Sequence, residues 1–256
     1  MNYIEIQIKN RIATIALNRP EKRNALNATV VTELKQALND CNNDSVKAIV
    51  LKGNGDAFCA GADLAYLKSL QTNTYEENLE DSLHLKELFD MIYHYPKVVV
   101  SMLTGHAIAG GAGLATVCDF CISVPEAKLG YTEVNIGFVP AIVSVFLIKK
   151  IGEAKSRELL LTGKLIDATK AEEIGLINRV YPADLIEEKT YYFVNNLINR
   201  TSGDSIALTK QLIADVQSMD IKDAFNLAAE VNAKARATAD CQKGIAGFLN
   251  KEKVTW

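Results

Sequence analysis

In the first half of the chain, segments with the apolar spacing of a β-strand alternate with segments that have the spacing of an α-helix. Polar and apolar residues alternate over 2–8 and again over 11–17, which predicts two strands joined by a tight turn. The runs at 46–53, 97–103 and 120–124 are almost wholly apolar. Short runs without a polar face are expected of strands that are buried on both sides of a parallel sheet.

Helical patterns separate these strands. Apolar positions recur every three or four residues after Asn27, a good N-cap residue, and residues 76–93 and the segment after Gly110 are also read as helices. This alternation predicts an α/β fold with parallel strands covered by helices. Residues 203–249 contain two or three amphipathic helices without a strand, so their apolar stripes must pack on the chain's own core or on a neighbouring subunit.

Composition narrows the function classes. The 256 residues carry a net charge of −3 without a long basic run, which makes nucleic acid a poor candidate partner. The longest apolar stretch is too short to span a bilayer and contains Pro140, and the first residues lack a signal-peptide pattern. We therefore expect a soluble, cytoplasmic protein with no membrane partner.

The cysteines and histidines do not form a convincing metal site. An odd count of five cysteines without an export signal argues against a disulfide framework. Cys118 and Cys121 form a lone CxxC with apolar flanks, which predicts buried, inert thiols rather than zinc ligands. The three histidines are scattered and lack ligand spacing, so no metal is expected.

Two glycine-bearing loops carry the chemistry. "FCAGADL" (58–64) and "IAGGAGL" (108–114) each follow a predicted buried strand and turn sharply into a helix. Two backbone N–H groups that converge at such turns are what an enolate or a tetrahedral oxyanion requires. Neither loop has a phosphate-binding fingerprint. The alternative is that Gly110 and Gly111 only permit close packing between helix and strand.

Four motifs occur in an order and spacing that resemble the enoyl-CoA hydratase/isomerase (crotonase) superfamily. They are "LNRPEKRNAL", "FCAGADL", "GHAIAGGAGLATVCD" and "LGYTEVNIGFVP", and the resemblance runs from about Ile4 to the C-terminal residues. It implies a crotonase-like spiral of ββα units over 1–195 and a helical trimerisation region over 196–256. It also implies a homo-oligomer, either a trimer or a dimer of trimers.

The resemblance further assigns a site for an acyl-CoA thioester. The N–H groups of Ala62 and Gly110 would form the oxyanion hole, and Glu133 would move the proton. Coenzyme A is then part of the substrate, and no separate cofactor is expected. The remaining contacts to substrate and coenzyme A would come from Arg23, Ala25, Ala60, Asp63, Leu64, Phe248 and Lys251.

One carboxylate of the well-known hydratases is missing, because Gly113 stands where they have a second glutamate. Glu133 alone would then either hydrate a 2-enoyl-CoA or catalyse Δ3-Δ2 isomerisation, and a non-catalytic acyl-CoA-binding protein is a distant alternative. "GGAGL", "TEV" and "PAIV" look more like the bacterial methylglutaconyl-CoA hydratase-type branch, which acts in leucine breakdown. This favours a branched or acidic enoyl-CoA, and Gly113 would leave room for the substrate's own carboxylate.

Overall fold

Two sheets form the centre of the chain. The computed structural model describes all 256 residues and contains ten strands and ten α-helices. The strands are β1 Ile4–Lys9, β2 Ile12–Leu17, β3 Ala48–Gly53, β4 Ala57–Cys59, β5 Val98–Leu103, β6 His106–Ile108, β7 Phe120–Ser123, β8 Lys128–Gly130, β9 Ile166–Asp167 and β10 Arg179–Val180. The six-stranded sheet has the order β1-β2-β3-β5-β7-β10, and the four-stranded sheet has the order β4-β6-β8-β9.

The helices cover the sheets and then continue alone to the C-terminus. Asn27 caps the first helix through a bond from the Val30 N–H, as its position in the sequence predicts. Two 3-10 turns, Pro20–Lys22 and Glu133–Ile136, complete the elements. The helices are α1 Ala28–Asp40, α2 Leu64–Leu70, α3 Tyr75–Tyr93, α4 Gly110–Thr116, α5 Ala141–Thr162, α6 Ala168–Glu173, α7 Ile186–Arg200, α8 Gly203–Val216, α9 Ile221–Arg236 and α10 Ala239–Asn250.

Successive turns of the chain build a spiral. Each turn adds a long strand to the first sheet and a three-residue strand to the second, in the pairs β3 with β4, β5 with β6, and β7 with β8. All pairings are parallel except β1 with β2 and β8 with β9. The predicted α/β class and the spiral are therefore confirmed.

Both faces of the central strands β3, β5 and β7 are buried, which explains the apolar runs. The edge strand β1 is largely exposed. One face contributes to the main core, which contains Ile15 and Leu51 of the sheet together with Leu34 of α1 and Phe89 of α3. The other face packs against α7 in a smaller cluster. The predicted strands are confirmed to within two residues at each end. The four-stranded sheet was not predicted, because strands of two or three residues are too short to show a periodicity.

The last three helices have little buried surface within one chain. No residue of α8 or α9 is buried, and Gly247 is the only buried residue of α10. The division after residue 195 stays a prediction, although α7 continues across it to Arg200. None of the ten helices combines the length and the apolar character needed to cross a bilayer.

Candidate active site

The three residues assigned to catalysis follow three neighbouring strands of the small sheet. Strands β4, β6 and β8 are parallel, so their carboxyl ends lie at one edge. Ala62 lies three residues after β4, Gly110 two residues after β6 and Glu133 three residues after β8. The fold therefore brings residues from three distant parts of the sequence to the same edge of the sheet.

The two glycine loops touch at this edge. Gly61 has a φ of +87°, and a Cβ built on it would lie 3.0 Å from the Ala109 Cβ and 3.6 Å from the Gly110 nitrogen. The positive φ and the crowding both require glycine at position 61. Ala109, the residue before α4, also has a positive φ of 51° and donates its N–H to the Gly130 carbonyl at 2.7 Å.

The N–H groups of Ala62 and Gly110 are among those at the loops that have no acceptor within the chain. The neighbours of Ala62 are engaged, since the Ala60 N–H donates to the Arg23 carbonyl and the Asp63 N–H to the Leu26 carbonyl. The Ala62 N–H itself has no partner within the chain, and neither does that of Gly110, the first residue of α4. Free N–H donors on two adjoining loops are the kind of group that can bind a developing oxyanion.

The two adjacent glycines of the second loop have different roles. A Cβ on Gly111 would lie 2.2 Å from the Cys59 carbonyl oxygen, so residue 111 must be glycine for α4 to pack on β4. A Cβ on Gly110 would meet only the Leu26 Cδ1, at 3.8 Å. The packing explanation therefore holds for Gly111 and not for Gly110, which borders open space.

Glu133, at the same edge of the sheet, has an unpaired carboxylate oxygen. It begins a 3-10 turn just after the fully buried Tyr131, whose hydroxyl lies 3.1 Å from the Thr116 hydroxyl of α4. The Glu133 Oε2 is buried and has no hydrogen-bond partner. Burial disfavours the charged form and raises the pKa of Glu133 above its ordinary value. A buried carboxylate without a partner is suited to accept and return a proton.

The space beside Gly113 is already filled. A Cβ on Gly113 would lie 2.1 Å from Val143 Cγ1 and 3.0 Å from Phe89 Cε1. The Phe89 ring stacks in turn on Phe146, with their centroids 5.9 Å apart. The expectation that Gly113 leaves room for a substrate carboxylate is therefore wrong, because α5 and α3 close that room with apolar side chains.

An ion pair next to Ala62 was not predicted from the sequence. Arg19 Nη1 lies 2.7 Å from Asp63 Oδ2, and Arg19 belongs to the motif "LNRPEKRNAL". Burial would raise the pKa of Asp63, but its hydrogen bond to Arg19 and two backbone N–H donors outweigh burial and lower that pKa. A charged pair cannot be recognised from the sequence when its partners lie in separate motifs.

The residues assigned to coenzyme A lie in two groups. Arg23, Ala25 and Ala60 are neighbours, because the Arg23 carbonyl accepts the Ala60 N–H at 3.0 Å. Leu64, the first residue of α2, leaves 81% of its surface exposed beside them. The second group is on or just after α10, which packs mainly against α8 and α9; it consists of Phe248, 84% exposed, and the exposed Lys251.

Burial disfavours the thiolate form of most of the cysteines. All five cysteines are free, and four are buried. Burial raises the pKa of Cys59 and of Cys118 to about 12 and also raises that of Cys121. The prediction of buried, inert thiols at Cys118 and Cys121 is therefore confirmed. The structure contains no group of three or more His, Cys, Asp or Glu side chains that could hold a metal ion.

Comparison with known proteins identifies the family. The sequence profile of the family described as Enoyl-CoA hydratase/isomerase matches residues 7–256. The chain belongs to this family. It is an enzyme of the enoyl-CoA hydratase/isomerase type, and an acyl-CoA substrate is consistent with that membership.

Relatives of the family match over nearly their whole length. A Thermus thermophilus protein with a provisional enoyl-CoA hydratase name is 44% identical over 95% of this chain and 96% of its own. A Syntrophomonas wolfei protein named crotonyl-CoA hydratase is 31% identical over 99% of this chain and 97% of its own. The crystal structure of an enoyl-CoA hydratase from Shewanella pealeana superposes with a TM-score of 0.93 at 27% identity, covering 99% of this chain and 96% of that one.

Proposed function

We propose that this enzyme is a 2-enoyl-CoA hydratase in which Glu133 is the only carboxylate acid and base. The observation that carries the proposal is the unpaired, buried Oε2 of Glu133 at the sheet edge that also carries the free N–H groups of Ala62 and Gly110. The hydratase names of the relatives support hydration over other reactions of the family.

The oxyanion hole activates the substrate. The thioester carbonyl oxygen accepts hydrogen bonds from the N–H groups of Ala62 and Gly110, and these bonds strengthen as C3 is attacked and the oxygen becomes an enolate. Loss of one such donor commonly lowers kcat by about 10²–10³. Both donors belong to the backbone and are held by strand ends, so they need no reorganisation when the charge develops.

Glu133 performs both proton transfers. Its carboxylate takes a proton from water as the water oxygen bonds to C3, and the electron pair of the double bond moves into the enolate. The protonated Glu133 then returns that proton to C2 on the same face. A raised pKa suits this double role, because it brings the acid and base forms closer in free energy at neutral pH.

Isomerisation of a 3-enoyl-CoA to a 2-enoyl-CoA is the second candidate. It is favoured by Val143 and Phe89, which close the space at Gly113 and leave no second carboxylate there to hold a water. In this reaction Glu133 removes a proton from C2, the oxyanion hole holds the dienolate, and Glu133 returns the proton at C4. No water is consumed.

The acyl group that we propose is short, aliphatic and branched. The side chains packed at and behind Gly113 (Val143, Phe89 and Phe146) are apolar, which favours an aliphatic acyl group over an acidic one. The sequence also suggests an acidic acyl group such as 3-methylglutaconyl, but the space at Gly113 that would hold its carboxylate is filled. 3-Methylglutaconyl-CoA is therefore tested as the competing substrate.

We further propose that the chain assembles as a trimer or a dimer of trimers. Helices α8 and α9 contain no buried residue within one chain, and Phe225, Phe248 and Leu249 are largely exposed. Large apolar side chains that are exposed together indicate a protein interface. Light scattering on the purified protein tests the assembly, and a monomer at micromolar concentration contradicts it.

Product analysis tests the reaction itself. The purified enzyme is incubated with crotonyl-CoA, 3-methylcrotonyl-CoA, 3-methylglutaconyl-CoA and 3-hexenoyl-CoA, and products are identified by mass and chromatography. A gain of one water, fastest for 3-methylcrotonyl-CoA, is the expected result. Double-bond migration without a mass change identifies the isomerase instead. Glu133→Gln abolishes turnover in either case, whereas a non-catalytic binder has no turnover to lose.

A further inference from the structure

We propose that Arg19 and Asp63 are positioning residues of the oxyanion hole: their ion pair holds the peptide unit that carries the Ala62 N–H at its working angle. The inference rests on the proposed function, since that function gives the Ala62 N–H its role in binding the thioester carbonyl. Both side chains act through the backbone between Gly61 and Asp63 rather than by touching the substrate.

The orientation of the Ala62 N–H is set by its own peptide plane. The Gly61 carbonyl and the Ala62 N–H belong to one planar trans unit, so they point in opposite directions. The Leu26 N–H donates to the Gly61 carbonyl at 2.7 Å. This bond directs the Ala62 N–H away from the segment around Leu26, towards the loop that begins α4.

The next peptide unit is held in the same way. The Asp63 N–H donates to the Leu26 carbonyl at 2.8 Å, so Leu26 holds the chain on both sides of Ala62. The Asp63 carboxylate Oδ1 then accepts the Ala65 N–H at 2.8 Å and caps the start of α2. Asp63 is therefore the point at which the oxyanion loop is joined to the helix after it.

Arg19 connects Asp63 to the segment that precedes α1. Its guanidinium Nη1 contacts Asp63 Oδ2 at 2.7 Å and donates to the Ala25 carbonyl at 3.2 Å. Its backbone N–H donates to Asn24 Oδ1 at 2.9 Å, and the Asn24 amide donates to the Ala57 carbonyl at 2.8 Å. The ion pair thus holds the Leu26 segment and the Ala62 segment at a fixed separation.

Burial makes this ion pair different from those on the surface. The side chains of Arg19 and Asp63 are only 12% and 8% exposed. Removal of one partner leaves the other charged, nearly buried and unpaired, which forces the surrounding backbone to adjust. The exposed pair of Arg157 and Glu153 on α5 offers a matched comparison, since water replaces a lost partner there.

The decisive variant is Asp63→Asn, which keeps an oxygen for the α2 cap and removes the charge. We expect kcat to fall by about 10- to 100-fold with KM changed by less than about threefold, since a small displacement of an aligned group costs up to 10²-fold. Arg19→Lys keeps the charge but not the planar fork, so a smaller fall in kcat is expected. Asp63→Glu restores part of the lost kcat, and Glu153→Gln leaves kcat unchanged.

A spectroscopic measurement reports the oxyanion hole without turnover. 2,4-Hexadienoyl-CoA is bound to Glu133→Gln enzyme, and the red shift of its conjugated near-ultraviolet band measures polarisation of the carbonyl. We expect the red shift to be at least halved when Asp63→Asn is added. Thermal unfolding and light scattering confirm that each variant is folded and assembled. If Asp63→Asn does not fold, Arg19→Lys is used for the same measurement.

Folded Asp63→Asn enzyme with the kcat and the red shift of its parent overturns the proposal. A rise in KM with unchanged kcat also overturns it, because the pair then serves only binding. Failure of the proposed function is a separate result: the unmodified enzyme turns over none of the enoyl-CoA substrates, while the red shift still depends on Asp63 through the oxyanion hole alone.

Discussion

The contact between Gly113 and Val143 can be tested by substituting both positions. Gly113→Ala places a methyl group 2.1 Å from Val143 Cγ1, well inside van der Waals contact. Val143→Ala removes that Cγ1, although Val143 Cβ stays 3.0 Å from the new methyl. The two substitutions should therefore be strongly coupled, with the second relieving most of the strain caused by the first.

The magnitudes follow from burial and packing. Overpacking in a filled core costs about 1–3 kcal/mol, of which alanine's better helix propensity offsets about 1 kcal/mol. Val143 is buried, and loss of two methyl groups costs about 2 kcal/mol by transfer and cavity terms together. In the double variant the methyl group added at position 113 occupies the space that Cγ1 left. We expect it to be about 1–2 kcal/mol more stable than the sum of the single variants predicts.

Urea unfolding of the parent, the two single variants and the double variant gives the coupling free energy between the two positions. All four are measured at the same protein concentration, because assembly contributes to stability. A coupling of at least about 1 kcal/mol confirms that residue 113 has no free space. Single-variant effects that add within about 0.5 kcal/mol refute it. In that case a substrate carboxylate at Gly113 becomes acceptable again.

Three other predictions concern the neighbouring residues. Gly110→Ala should fold with normal stability but lose most of its activity. Gly111→Ala should instead be strongly destabilised, because its methyl group clashes with the Cys59 carbonyl. Thermal unfolding measures the stability of each variant, and initial rates measure its activity. Glu133→Gln should be more stable than the parent when the pH exceeds the raised pKa of Glu133, because burial disfavours the charged form of the parent's side chain. That advantage should disappear as the pH falls below the ordinary glutamate pKa, because both states then carry a proton. The acid limb of the kcat/KM profile, which reports the free enzyme, should lie above that pKa, and a limb at about 4.3 contradicts the role of buried Glu133 as the base.

The sequence predicts the long strands and most helices because their periodicity extends over enough residues. Residues 98–103 form a strand with no exposed side chain, as the apolar run indicates. The strand at 106–108 has no such signal, because three residues cannot distinguish a strand from a turn. Helix α5 is interrupted at Gly152, where φ is 78° and ψ is 165°, and its buried positions shift from a spacing of four residues to five across that glycine.

The candidate site, too, could be predicted only in part from the sequence. The motifs predict which residues occur in the glycine loops, but not which of their N–H groups stay free. That depends on the carbonyl of Leu26, which accepts from Asp63 and leaves Ala62 unpaired. Nor does the sequence show that Val143 fills the space at Gly113, since the two residues meet only when α4 packs on α5.

The three-residue strands of the small sheet also determine when activity appears during folding. Ala62, Gly110 and Glu133 each extend from a different turn of the spiral, and none of the turns contains two of them. Their alignment therefore needs three successive turns to be stacked, which requires contacts between residues far apart in sequence. Local opening of β8 alone separates the proton carrier from the oxyanion hole while the large sheet stays intact. Enzymatic activity should accordingly be regained after secondary structure on refolding, and it should be lost before secondary structure on unfolding.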